Sequence, residues 1–149
     1  MTTHQQLLYH ITFSTKNRCR WLSDGMRDST FAYMAGIAAE LDCFAINVGG
    51  YYDHVHLLVR IPARIAVADF IRQLKSNASK HINGTSGLIQ KFGWQEGYGA
   101  FTVSASVKDR IHHYISNQME HHREKTFEEE YLSLLEKHEV DFDRRFVFD

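Results

Sequence analysis

Leu7, Tyr9, Ile11 and Phe13 alternate with Leu8, His10 and Thr12, a period of two that predicts a strand over about 6–14 with one face on a core. Phe31, Met34, Ile37, Ala38 and Leu41 then recur at helical spacing behind the capping candidates Ser23 and Asp24, predicting a helix over about 25–42. Phe44, Ile46 and Val48 alternate, Gly49-Gly50 and Asp53 interrupt, and His54 to Ile61 resumes as a strand ended by Pro62, which reads as a hairpin. Val67, Phe70, Ile71 and Leu74 mark a second helix to about Ile82, with Arg72, Lys75 and Lys80 on its polar side. Asn83 to Gly99 contains five of the nine Gly and no apolar period, so a flexible connection is expected there, before a short strand near Tyr98 to Val103. Two more helices are expected over about 107–124 and 127–138, and Asp141 to Asp149 looks irregular.

The order β-α-β-β-α-β predicts an α+β fold of the ferredoxin-like kind, an antiparallel sheet with two helices on one face and the other face open. With no repeat, low-complexity tract or Pro/Ser-rich linker, the expectation is one domain over 1–149. It divides into a ferredoxin-like core over 1–104 and a helical extension over 105–149.

Composition narrows the class without naming a function. The 149 residues are 44% hydrophobic and 23% charged with a single Pro, which excludes a disordered tail or a collagen-like fibre and allows a sizeable core. No run of 18 apolar residues occurs and the polar start lacks a secretory layout, so a cytoplasmic protein is expected. Cys19 and Cys43 offer neither a disulfide framework nor a zinc ribbon. Residues 1–126 hold 14 Lys/Arg against 10 Asp/Glu and residues 127–149 hold 3 against 8, so a mildly basic body precedes an acidic tail. That balance permits contact with phosphates without announcing it.

Ten His are more informative, although so many make chance pairs common. Within the strand from His54, the residues Val55, Leu57, Val59 and Ile61 share one face, which puts His54 and His56 side by side on the other, where they can hold one metal ion. On the helix from Val107, about 100° per residue gathers Val107, Ile111, Ile115 and Met119 into an inward stripe that also carries Tyr114 and Gln118, while His112 and His113 face solvent. An inward Tyr is ordinary core material. An inward Gln needs partners for its amide, and His121 and His122 extend the same polar strip. His10 shares the face of Thr12 and is either a member of this site or a structural histidine. The Glu128-Glu129-Glu130 run reads as a helix N-terminus favoured by the helix dipole.

Several segments together resemble one family. They are Tyr9-His10-Ile11-Thr12-Phe13 with Lys16-Asn17-Arg18, Asp53-His54-Val55-His56-Leu57-Leu58, Leu74-Lys75, Trp94 to Phe101, and Tyr114 to His122 with Phe127 and Glu130 after it. In order and spacing they resemble the single-tyrosine HUH transposases of the insertion-sequence 200/605 type, including relatives associated with repetitive extragenic palindromes. The resemblance implies His54, His56 and Gln118 as ligands of a divalent ion, Mg²⁺ or Mn²⁺, and Tyr114 as a nucleophile that cleaves and rejoins single-stranded DNA through a 5′-phosphotyrosine link. It also implies hairpin-forming element ends as partner, a homodimer with composite sites that makes the glycine-rich stretch a candidate hinge, and action at the nucleoid of a prokaryotic cell. Arg18, Arg20, Arg72, Lys75, Trp94 and Tyr98 are candidates to stack bases or meet phosphates, with a solvated face or a core aromatic as the alternative for each. His10, His121 and His122 are candidates to support the site. Two other functions remain open, a domesticated module that binds single-stranded DNA or RNA hairpins without cleavage and a metal-dependent nuclease that uses water in place of the tyrosine. The DNA sequence recognised, the ion, and whether the tyrosine serves its own subunit or its partner stay open as well.

Overall fold

The computed structural model describes residues 1–85 and 90–148. Four strands, β1 (Leu8–Ser14), β2 (Phe44–Gly50), β3 (His54–Arg60) and β4 (Gly99–Val103), form one antiparallel sheet in the order β2-β3-β1-β4. Helices α1 (Asp24–Glu40) and α2 (Val67–Thr85) complete the ferredoxin-like succession. Beyond it come α3 (Lys108–Ser116), α4 (Gln118–His121) and α5 (Phe127–Lys137).

The period-two pattern divides the sheet as expected. Ile11 and Phe13 of β1 and Val55, Leu57 and Val59 of β3 join Phe31, Met34 and Ile37 of α1 and Phe70, Ile71 and Leu74 of α2 in the main core. The opposite face is covered rather than open. Leu8, Leu58 and Val103 pack there against Ile115 of α3, and Phe101 packs against Phe127, Tyr131 and Leu135 of α5. His10, Thr12, Ser14, His54 and His56 fill the rest of that face, all buried.

Three expectations need correction. The helix expected over 107–124 is interrupted at Asn117, which closes α3 and opens the four-residue α4. The break ends the stripe predicted from Val107, so Met119 is 40% exposed while Gln118 is 1% exposed. The second change concerns the glycines after Val48. Strand β2 continues through Gly50, and a Cβ on Gly49 would stand 2.5 Å from the Ile115 carbonyl oxygen, so the missing side chain is what lets α3 close on the strand. Asn47 fastens the crossing by donating from Nδ2 to the His112 carbonyl at 3.0 Å and to Ser116 Oγ at 2.9 Å.

The third correction concerns the connection expected over 83–99. Residues 86–89 lie outside the described residues, but α2 runs on through Thr85, and from Gln90 onward the chain is pinned. Asn83 holds both backbone groups of Phe92, accepting from its N–H at 2.7 Å and donating to its carbonyl at 3.1 Å. Phe92 is buried, and Trp94 sets its ring edge-on to Phe13 and donates its indole N–H to the Lys75 carbonyl. Isolated aromatics have no period to detect, which is why the sequence pattern reads this stretch as unstructured.

Candidate active site

Neighbouring backbones aim the site's side chains at one place. The β1–β3 register sets Thr12 opposite His56 and Ser14 opposite His54, on the face that α3 and α5 cover. At the start of α5, Thr126 caps the helix by accepting from the Glu129 N–H, and Glu129 reaches back to the Thr126 N–H. That cap fixes the first turn and turns Glu130, only 2% exposed, inward between Phe127 and Tyr131.

Three imidazoles converge on Glu130. Its Oε1 lies 2.9 Å from His56 Nε2, 3.2 Å from His122 Nε2 and 3.4 Å from His54 Nε2. Gln118 Oε1 sits 3.0 Å from His54 Nε2 and 2.9 Å from His122 Nε2, and the Gln118 amide donates to Glu130 Oε2 at 3.1 Å. The Tyr114 hydroxyl also donates to Glu130 Oε2. His121 Nε2 comes within 3.3 Å of Oε2 but is buried without a hydrogen-bond partner.

Each converging ring is held by its other nitrogen. His54 Nδ1 donates to Asp53 Oδ1 at 2.7 Å, His122 Nδ1 donates to the Lys125 carbonyl, and His56 Nδ1 shares a proton with His10 Nε2 at 2.8 Å. Asp53 and Lys125 offer acceptors only, so neutral His54 and His122 point bare nitrogen lone pairs at the oxygens of Gln118 and Glu130. Lone pair against lone pair needs a positive charge on or between them, which a proton or a metal ion supplies. Ligand atoms of His54, His56, His122 and Glu130 all lie within 4.8 Å of one another, and rings braced through Nδ1 with Nε2 presented are the arrangement that metal ligands use. These residues fit a divalent ion.

The protonation states follow the same balance. Burial works against a charged His54, but its hydrogen bonds and attraction to Asp53 and Glu130 outweigh burial and push it up to about 9. Burial, then repulsion from His56, brings His10 down to about 3, so that ring is a neutral brace. Burial would raise the Glu130 carboxyl; the neighbouring His56, His122 and His54 prevail and hold it far below the usual carboxylate range. Tyr114 is raised, first by burial and then by the Glu130 charge, so its phenol rests protonated as a donor.

Of the residues singled out from sequence, His54, His56, Gln118 and Tyr114 come together here, with His10, His121 and His122 around them. Glu130 does stand in the first turn of α5, as the acidic run predicts, and it is also the centre of the cluster. The signal that marks Gln118 marks it too, a polar residue on the inward face of an apolar helix, flanked by Phe127, Tyr131 and Leu134.

The candidate DNA contacts are scattered. Arg18 pairs with Glu128 at 2.5 Å, Arg20 lies over the rings of Tyr51 and Tyr52, and exposed Arg72 lies 3.7 Å from Asp69. Lys75 donates to the carbonyls of Gln95 and Gly97, and Trp94 is packed as described, so both are spent on the fold. Tyr98 is partly exposed.

The sequence model of IS200-like transposases matches residues 3–118. The chain belongs to the IS200-like transposase family. The ISDra2 transposase TnpA of Deinococcus radiodurans is 30% identical over 118 residues, which cover 76% of this transposase and 84% of that protein. A crystal structure assigned as a transposase of Deinococcus radiodurans R1 superposes with a TM-score of 0.63 at 26% identity, covering 79% of this transposase and 98% of that chain. The REP-associated tyrosine transposase bound to a REP hairpin shares the fold, with a TM-score of 0.59 at 14% identity, covering 82% and 75% of the two chains. Transposition and DNA binding are accordingly the functional class of this transposase. The family match ends at Gln118, so His122 and Glu130 lie beyond it. No helix among the described residues is long and apolar enough to cross a membrane.

Proposed function

We propose that this transposase cleaves and rejoins single-stranded DNA by attack of Tyr114 on a phosphodiester, leaving a 5′-phosphotyrosine link and a free 3′-hydroxyl. The observation that carries the reading is the hydrogen bond from the Tyr114 hydroxyl to the carboxylate that also gathers His54, His56 and His122. A free phenol titrates near 10 and is a weak nucleophile at neutral pH, so the site must take its proton as the Oη–P bond forms. Glu130 Oε2 orients the hydroxyl through that hydrogen bond. As the P–O3′ bond breaks, the phenolic proton ends on the departing O3′, and the reverse step returns it to Tyr114 and rejoins the strand without an outside energy source.

His54, His56, His122 and Glu130, with the Gln118 amide oxygen beside them, would hold the divalent ion. Bound there, it supplies positive charge against the phosphoryl oxygens and orients the scissile bond. Three imidazoles with one carboxylate suit Mn²⁺ better than Mg²⁺, which prefers oxygen ligands. Within one protomer the Tyr114 hydroxyl already reaches the carboxylate of the cluster, which supports two such sites in a homodimer. Hairpin-forming element ends are the proposed DNA partner, in line with the hairpin bound by the REP-associated relative.

The test incubates the protein with single-stranded oligonucleotides from the ends of its own locus and Mn²⁺ or Mg²⁺, then looks for a covalent adduct on a denaturing gel. The expected adduct needs metal and disappears in Tyr114→Phe. Cleavage that survives Tyr114→Phe would identify water as the nucleophile, and binding without cleavage would identify a hairpin-binding module.

A further inference from the structure

Between α3 and α5, beside Tyr114 and Glu130, the surface opens into a cavity of about 280 Å³. Its walls are Ile111 and Leu134, and its polar lining is strongly one-sided. Arg110 on α3, Lys125 before α5 and Lys137 at the end of α5 all border it, and none lies within 4.0 Å of a carboxylate among the described residues. Among the described residues no lysine pairs with a carboxylate, but each of the other nine arginines rests against a carboxylate or over an aromatic ring, and Arg110 alone does neither. Glu130, the one acid in the lining, is turned onto its imidazoles. The buried His121 Nε2 also borders the cavity without a hydrogen-bond partner.

Three unpaired cations around a small, half-apolar cavity, with a phenol at its edge, are the chemistry that recognises a phosphate joined to a sugar and base. The geometry points to this cavity as the seat of one nucleotide of the DNA single strand, its phosphate held by Arg110, Lys125 and Lys137 and its sugar or base against Ile111 and Leu134. The inference rests on the proposed strand chemistry and adds the place where the strand lies. It assigns DNA contacts to a part of the chain, Lys125 and Lys137, that lies beyond the family match. The segment that supplies Glu130 therefore also shapes the substrate seat.

The experiment uses the full chain carrying Tyr114→Phe in EDTA, so that neither adduct nor metal enters the reading, and titrates a fluorescein-labelled single-stranded 12-mer at several salt concentrations. Replacing Arg110, Lys125 and Lys137 together by Gln is expected to weaken binding at least tenfold at low salt. The slope of log K against log salt should fall by about 0.7, the share of the one single-strand phosphate that the three cations hold. A charge-matched control, Arg64→Gln with Lys80→Gln and Lys91→Gln, should change binding less than twofold. Arg110→Lys alone should keep most of the affinity, which separates charge from packing. Equal weakening by the two triple variants would overturn the assignment, as would an unchanged slope in the first. Free thymidine 5′-monophosphate serves as the second probe. If it bound as tightly as the 12-mer, the cavity would be a mononucleotide site and the assignment to the strand would fall. Adduct formation by the unmodified chain is read separately, so failure of the tyrosine chemistry leaves this result standing, and loss of the seat leaves that chemistry standing.

Discussion

Lys75 shows what a single residue can be asked to do by its surroundings. Its ammonium sits over the Phe13 ring and donates to the carbonyls of Gln95 and Gly97, tying α2 to the start of β4, and burial lowers its pKa to about 8. The folded chain therefore gives up this proton before the unfolded chain does. Its contribution to folding stability is flat below about 8 and rises with pH until the unfolded lysine titrates near 10.4. The expected outcome is that the native chain gains stability relative to Lys75→Met between pH 8 and 10, read from urea midpoints of both proteins. A constant difference across that range would contradict the burial. Lys75 also marks a limit of reading residues from sequence. Its place on the polar side of an amphipathic helix was legible, but the partners that hold it come from a stretch with no period. Glu130 is masked for another reason, since three consecutive glutamates after a capping residue read first as a helix N-terminus. Only its spacing from Phe127, Tyr131 and Leu134 sets it apart from Glu128 and Glu129.

At the scale of elements, the crossing of α3 over β2 positions the chemistry. Tyr114 sits one residue before Ile115, the side chain that fills the second apolar cluster, and Gly49 and Asn47 set the distance and direction of the approach. Gly49→Ala would drive a Cβ into the Ile115 backbone, and overpacking of this kind costs about 1–3 kcal/mol. The expected result is a Tm lower by roughly 3–10 °C, with adduct formation lost more completely than stability. A variant that kept full adduct formation would show that α3 shifts without consequence. The strands and α2 were legible because their periods are strong, and α1 because its apolar residues recur behind the capping candidates Ser23 and Asp24. The break at Asn117 was not, because the apolar pattern runs on through it and Asn117, although a capping type, makes no side-chain cap there.

For the molecule as a whole, the candidate ligands come from three separate places, β3 for His54 and His56, the turn after α4 for His122, and α5 for Glu130. An ion there ties the C-terminal helix to the centre of the sheet. Metal at a hundred times its Kd adds about 2.7 kcal/mol to the state that binds it, so amide exchange across Phe127–Lys137 should slow by up to about a hundredfold on adding Mn²⁺. Exchange unchanged by metal would remove Glu130 from the ligand set. The sheet itself also limits how the chain can vary. Strands β1 and β3 pair without interruption from Leu8 opposite Arg60 to Ser14 opposite His54, whereas the β2–β3 ladder slips between Ala45 and Asn47. Adding or deleting one codon in β3 would exchange its faces, sending imidazoles into the apolar core and valines into the site. The edge strand already accommodates a residue out of register, so length changes that survive in descendants of this gene belong near Ile46 and not between His54 and Arg60.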